Sequence, residues 1–288
     1  MNDSDRRALV AVIAALLIGA AMALAGSQGG FTVGGFGLFA TAVLIAFVVQ
    51  WIVFVPSFAA RTERFFDLTG SLTFIGITVG LAIATPMMDA RSWLLAAMVA
   101  LWAARLGSFL FTRVRRSGGD HRFDEIKQSF WPFAQVWTLQ GLWVTMTAAA
   151  AWIAITSQHR VALDAFAVVG LVVWLFGLGF EVVADLQKSR FKANPANAGR
   201  FIDSGLWSLS RHPNYFGEIV LWIGVAIVTL PVLQGWQWVG MLSPLFVTVL
   251  IAKVSGVPLL EAKADTTWGG QPDYEAYKAK TSVLIPLP

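Results

Sequence analysis

Apolar runs of about twenty residues recur along the whole chain, separated by short polar connectors. Eight such segments lie at about 8–25, 36–58, 67–87, 92–112, 133–156, 164–187, 215–233 and 237–258. Each is long enough to span the hydrocarbon core of a bilayer as a helix. None alternates apolar and polar positions with the period of two that a half-buried strand requires. The pattern predicts an all-α, polytopic transmembrane helical bundle of about eight helices.

Charge orients this bundle. With the N-terminus cytoplasmic, the inside segments are 1–7, 59–66, 113–132, 188–214 and 259–288, and they hold 17 of the 21 Lys and Arg residues. The outside connectors hold only Arg91 and Arg160, so the positive-inside rule places both termini in the cytoplasm. Composition agrees: 57% of residues are hydrophobic and 13% are charged, against roughly 25% charged in soluble domains. The pI near 9.6 therefore reflects membrane orientation, and no nucleic-acid partner is expected. Arg6 and Arg7 ahead of an apolar run ending in Ala23-Leu24-Ala25 also fit a cleavable signal peptide. An uncleaved first helix fits the topology equally well. No repeat or linker divides the chain, so 1–288 is expected to be a single integral membrane domain. Cysteine is absent, which excludes disulfides and thiol chemistry. No His/Glu pair has a metal-ligand spacing, so no metal is expected.

Ionisable residues inside apolar segments are costly and mark candidate function. Here they are Asp67, Arg105, Glu181, Asp185, Glu218 and Lys253, all toward the cytoplasmic ends of their segments. Lys and Arg can snorkel to the interface. Carboxylates do so poorly, and four at one level favour a polar cavity open to the cytoplasm over interface decoration. Glu181, Asp185, Lys188 and Lys192 are spaced 4, 3 and 4, which puts them on one face if the sixth helix continues past the membrane. Membrane lipids are the default partners of the remaining aromatic and apolar surface.

The polar run that follows contains Lys188, Arg190, Lys192, Asn194, Asn197, Arg200, Arg211, His212 and Asn214, and ends in SLSRHPNYFGE (208–218). Guanidinium and ammonium groups suit phosphate oxygens. Pro213 suits the first turn of a helix, whose unpaired N–H groups favour an anion. A polyphosphate cofactor fits this chemistry, and anionic lipid headgroups are the alternative partner. Neither GxGxxG nor GxxxxGK[ST] occurs, so the cradle belongs to neither the Rossmann nor the P-loop type. His121 and His159 stand in connectors with no partner evident. Gln135 and Gln140 read as interhelical glue.

The stretch GFEVVADLQKSRFKANPANAGRFIDSGLWSLSRHPNYFGE (179–218), with VSGVPLLE (254–261) and YEAYKAKTSVLIPLP (274–288), resembles the steroid 5-alpha-reductase family, in particular its bacterial branch DUF1295. The resemblance covers roughly 60–288. It implies a seven-helix core at 60–288 preceded by an extra N-terminal helix within 1–35. It implies a bacterial inner (plasma) membrane location, with the active site facing the cytoplasm. The activity it implies is NADPH-dependent reduction of a carbon–carbon double bond conjugated to a ketone, in a steroid-like or other lipophilic substrate. Residue by residue, Asp185, Asn214 and Glu218 match cofactor contacts, Arg200 matches an arginine that faces the phosphates, and Arg105 matches an arginine on the corresponding helix. Glu181 stands where the steroid enzymes have asparagine, and Lys192 near a family arginine. Arg211, His212 and Tyr215 complete the cofactor motif.

The substrate side departs from the family. Spacing aligns Asp67 with the glutamate, and Trp102 with the tyrosine, that hold the ketone in steroid enzymes. An alignment through VPSF (55–58) places no acid there. As catalytic candidates, Asp67 would activate the substrate or relay a proton, which requires the protonated acid, and Trp102 would stack on a flat substrate. Isoprenylcysteine methyltransferases carry a similar RHPxYxG stretch, so a membrane methyltransferase using S-adenosylmethionine is the alternative enzyme. A non-catalytic lipid-binding or transport protein is the remaining reading, and the oligomeric state is open.

Overall fold

The computed structural model describes residues 2–117 and 123–287, and His121 lies outside the described residues. The helices are α1 (Asp3–Gly26), α2 (Leu38–Ala59), α3 (Phe66–Ala84), α4 (Ala90–Ser117), α5 (Phe130–Thr156), α6 (Ala165–Ala193), α7 (Pro213–Thr229), α8 (Leu242–Val249), α9 (Val257–Trp268) and α10 (Pro272–Lys280). A single π-helical turn, Leu250–Val254, continues α8. Strands β1 (Thr32–Val33) and β2 (Phe36–Gly37) form a small antiparallel hairpin. Its turn is Gly34-Gly35, with φ of 59° and 83°, the positive values that a two-residue hairpin turn of type I′ demands.

Each apolar segment of the sequence falls mostly on helical structure. Among the described residues, six stretches are long and apolar enough to cross a membrane: Asp3–Gly26, Leu38–Ala59, Phe66–Ala84, Phe130–Thr156, Ala165–Ala193 and Gly235–Trp268. α7, with 17 residues, is a shorter apolar helix. The protein is a polytopic helical membrane protein. Its chain forms two compact units, 1–166 with 229–243, and 167–228 with 244–288.

The first unit is built around α5, where the run Ala148–Ile153 is wholly buried. A helix apolar on all sides belongs in the middle of a bundle. α1 and α2 approach α5 closely because Gly26 leaves room for the rings of Phe39 and the methyl of Ile153. Phe74 of α3 is an aromatic hub, with Trp102 at 5.2 Å and Trp143 at 5.1 Å, both edge-on. A second cluster joins Phe54, Phe123, Phe133 and Trp137. Edge-on pairs of this kind add about 0.5–1.5 kcal/mol each beyond their burial.

A polar lattice closes one end of this unit. Arg91, 1% exposed, pairs with Asp164 at 2.7 Å and donates to the carbonyls of Val161 and Ala162. Arg160 donates to Ser92 Oγ at 2.7 Å and lies over the Phe31 ring. Gln237 Nε2 donates to the carbonyl of Gln28, and His159 Nδ1 lies 3.1 Å from the carbonyl of Val232. The two arginines of the predicted outside connectors are thus braces, Arg91 buried and Arg160 half-buried.

In the second unit, α6 runs on to Ala193, which meets the condition for Glu181, Asp185, Lys188 and Lys192 to share one face. It stops at Asn194-Pro195, since a residue before proline is driven out of helical conformation. Asn194 Oδ1 caps the next turn by accepting from the N–H of Ala196, and Asn197 Nδ2 donates to the carbonyl of Phe191. These asparagines serve as turn chemistry. Pro213 opens α7, where its missing N–H costs nothing.

Candidate functional site

The polar residues of α6 and α7 meet because glycines let the two helices touch backbone to backbone. A methyl added at Gly177 would lie 2.5 Å from the N of Leu221 and 2.7 Å from the carbonyl of Gly217. One added at Gly217 would lie 2.6 Å from the N of Glu181. Gly170 and Gly224 repeat the arrangement two turns away. Small residues at heptad spacing are a recognised means of close helix approach in membranes.

At the C-terminal end of this contact, Asn214 Nδ2 donates to Asp185 Oδ1 at 3.2 Å. Glu181 and Asp185 are both buried. Glu181 backs directly onto Gly217, and Glu218 follows Gly217 in the first turns of α7. The structure therefore gathers Glu181, Asp185, Asn214 and Glu218 at one junction. Asn214 Oδ1 is buried and accepts no hydrogen bond among the described residues. The junction is rich in acceptors suited to hydroxyl and amide N–H groups.

The loop from α6 to α7 folds back on α6. Gln187 Oε1 accepts from the N–H of Leu206 at 2.9 Å, and Trp207 Nε1 donates to the carbonyl of Ala184 at 3.0 Å. Lys188 Nζ lies 4.4 Å from the centre of the Trp207 ring. A cation over an aromatic face is worth roughly 0.5–2 kcal/mol. Lys192 and Arg200 are exposed.

The SRHPNY stretch divides into two faces. Asn214 faces α6, and Glu218 lies one turn further along α7. Arg211, His212 and Tyr215 face the α9 side instead. Arg211 Nη2 donates to Glu261 Oε2 at 2.6 Å, and His212 Nε2 is 2.7 Å from Glu261 Oε1. The His212 ring stacks on Tyr215 at 5.8 Å, and the Tyr215 ring lies against Gly256 at the start of α9. Glu261 was visible in the sequence only as the end of VSGVPLLE. Nothing in its spacing announced that it would hold two neighbouring residues of the SRHPNY stretch.

The candidates in the first unit sit on α3 and α4. Asp67 is half-buried in the first turn of α3, and its carbonyl accepts from Ser71 Oγ. Its neighbour Phe66 accepts at the carbonyl from Gln140 Nε2 at 3.0 Å, the interhelical bond expected of that glutamine. Trp102 is fully buried against Phe74. Phe74 is seven residues from Asp67, about 10 Å along the helix, so the two candidates lie at different levels of the α3–α4 pair. Arg105 is half-buried one turn beyond Trp102.

Comparison with known proteins returns the same lineage. A model of the family described as "Protein of unknown function (DUF1295)" matches residues 53–281. A "Steroid 5-alpha-reductase DET2" from Gossypium hirsutum is 35% identical over 71 residues, 25% of each chain. The protein of that name from Arabidopsis thaliana is 35% identical over 74 residues, 25% of this chain and 26% of its own. A "Probable O-methyltransferase ustE" from Ustilaginoidea virens is 35% identical over 66 residues, 23% of each. The chain thus spans about a quarter of the length of these relatives. No solved structure matches it. With the family model covering most of its length, the chain belongs to the DUF1295 family, which is linked to the steroid 5-alpha-reductases.

Proposed function

We propose that this protein is an NADPH-dependent membrane reductase, acting on a carbon–carbon double bond conjugated to a carbonyl in a lipophilic substrate. The observation that carries this reading is the α6–α7 junction, with buried Asp185 bonded to Asn214. It lies in a family linked to steroid 5-alpha-reductases. NADPH supplies the hydride when bound. The residues present suit it. Glu181, Asp185 and Glu218 offer carboxylates for ribose hydroxyls, and the buried Asn214 Oδ1 offers an acceptor for an amide or amine N–H. Lys192, near the end of α6, and Arg200, in the α6–α7 loop, are exposed and offer cations for phosphates.

On the substrate side, Asp67 would hold a proton for the carbonyl oxygen or the product carbon. Trp102 packs the wall against Phe74. The shorter acid and the missing phenol, relative to steroid enzymes, favour an enone other than a 3-oxosteroid. The proposed topology has eight spans, both termini in the cytoplasm and the α6–α7 loop on the same side. Its support is the distribution of Lys and Arg.

The match to a probable O-methyltransferase supports a second reading, S-adenosylmethionine binding. That cofactor carries no phosphate to match the cation-rich α6–α7 loop. Side-by-side thermal shift and calorimetry on the purified protein separate the two. The reductase reading expects NADPH to bind and S-adenosylmethionine not to bind. The reverse result, or no NADPH binding up to millimolar concentration, removes it.

A further inference from the structure

We propose that Glu261 is a positioning residue for the candidate cofactor site, and that the C-terminal segment 257–287 acts as a strap holding the 199–215 loop in shape. The cofactor half of this proposal rests on the reductase reading; the strap does not.

A connector that must present Asn214 to Asp185 has little regular structure of its own. Between α6 and α7 it contains only two short 3-10 turns. Beside its two bonds to α6 at Leu206 and Trp207, it is gripped by the C-terminal segment from Gly199 to Arg211. Trp268 Nε1 donates to the carbonyl of Gly199 at 2.7 Å. Phe201 packs between Tyr274 and Tyr277, each 5.3 Å away. Tyr277 Oη donates to the carbonyl of Trp207 at 2.7 Å. The N–H of Leu287 donates to the carbonyl of Leu209, Ser210 Oγ to that of Leu284, and the N–H of Arg211 to that of Ser282.

Glu261 completes the grip at the residues next to the site. Its two carboxylate oxygens take Arg211 Nη2 and His212 Nε2, while Arg211 Nη1 donates to the carbonyl of Lys278 at 3.0 Å. The side chains of Arg211 and His212 are 13% and 6% exposed. Neutralising Glu261 leaves a mostly buried guanidinium without its counter-charge, a state that proteins tolerate poorly. Arg211 and His212 thus act on the site through the backbone they fix, two residues from Asn214.

The test compares wild type with Glu261→Gln and Glu261→Asp, using the full chain in detergent. Amide hydrogen exchange over 199–215 is read beside NADPH affinity and steady-state kinetics. In Glu261→Gln, exchange in this loop rises and NADPH binds about ten-fold more weakly, the low end for losing a charge-assisted hydrogen bond. KM for NADPH rises while kcat is held, and Glu261→Asp recovers part of both changes. Unchanged loop exchange in Glu261→Gln overturns the strap. A fall in kcat at constant KM overturns the positioning role. If wild type binds no NADPH, the cofactor role falls with the reductase reading, and loop exchange alone decides the strap.

Discussion

Asn214 donates to Asp185 across 3.2 Å, tying the start of α7 to the end of α6. A charge-assisted hydrogen bond is worth about 1.5–3 kcal/mol when both groups are held in place. Asn214→Ala is expected to weaken NADPH binding by about ten-fold or more, and Asp185→Leu to do the same. Calorimetry checks both. An unchanged affinity in the pair would move the cofactor away from this junction.

The same junction depends on glycine. Gly217→Ala pushes a methyl into the backbone of α6, 2.6 Å from the N of Glu181. Overpacking of this kind costs about 1–3 kcal/mol, so Tm should fall and cofactor affinity with it. Gly179→Ala, on the same α6 but with nothing within 4 Å, should be neutral or stabilise by up to ~1 kcal/mol through helix propensity. Thermal unfolding of the two variants separates close packing from a general intolerance of substitution.

Tyr277 carries a pH prediction. Burial pushes its phenol well above the ordinary tyrosine value, because the charged form is disfavoured away from water. A pKa raised on folding stabilises the fold fully below the unfolded value, about 10, and the contribution fades as pH rises past it. Stability should therefore show no Tyr277 effect between pH 6 and 9 and an alkaline loss above about 10. Tyr277→Phe should reduce that alkaline loss, leaving the share of Tyr274, whose phenol pKa burial also raises, and cost about 1 kcal/mol at neutral pH, the bond to Trp207 being gone. Denaturation followed across pH checks both parts.

The proposed topology is open to direct labelling, since the chain has no cysteine of its own. Thr32→Cys in the hairpin and Ala198→Cys in the α6–α7 loop are both at exposed positions. A membrane-impermeant maleimide added to intact cells should label the first, and the second only after lysis. The opposite pattern would invert the orientation and put the candidate site on the outer face.

Much of the fold was legible because transmembrane helices announce themselves. The eight apolar segments fall mostly on helical structure, and α6 extends to Ala193, the condition under which Glu181, Asp185, Lys188 and Lys192 share one face. The helix start at Pro213 and the stop at Asn194-Pro195 follow from local backbone sterics, which a sequence carries in full. The glycines at 170, 177, 217 and 224 were also legible. Their heptad spacing is a packing signal that an inspection confined to polar residues passes over.

Other features were not legible, for a different reason. Arg91 and Arg160 look like two stray cations outside the membrane, yet Arg91 is a buried brace and Arg160 a half-buried one, because their partners Asp164 and Ser92 are about seventy residues away in the sequence. Arg211 looks like a phosphate ligand by residue type, and its guanidinium is instead held by Glu261, fifty residues on.

The sequence by itself determined the helices, the family and the residues that can carry charge into an apolar phase, because those depend on local composition and spacing. Only the tertiary structure decided how each charge is spent. SRHPNY turns Asn214 toward α6 and Arg211 and His212 toward Glu261, and the partners that make this division lie at sequence separations which no local pattern encodes.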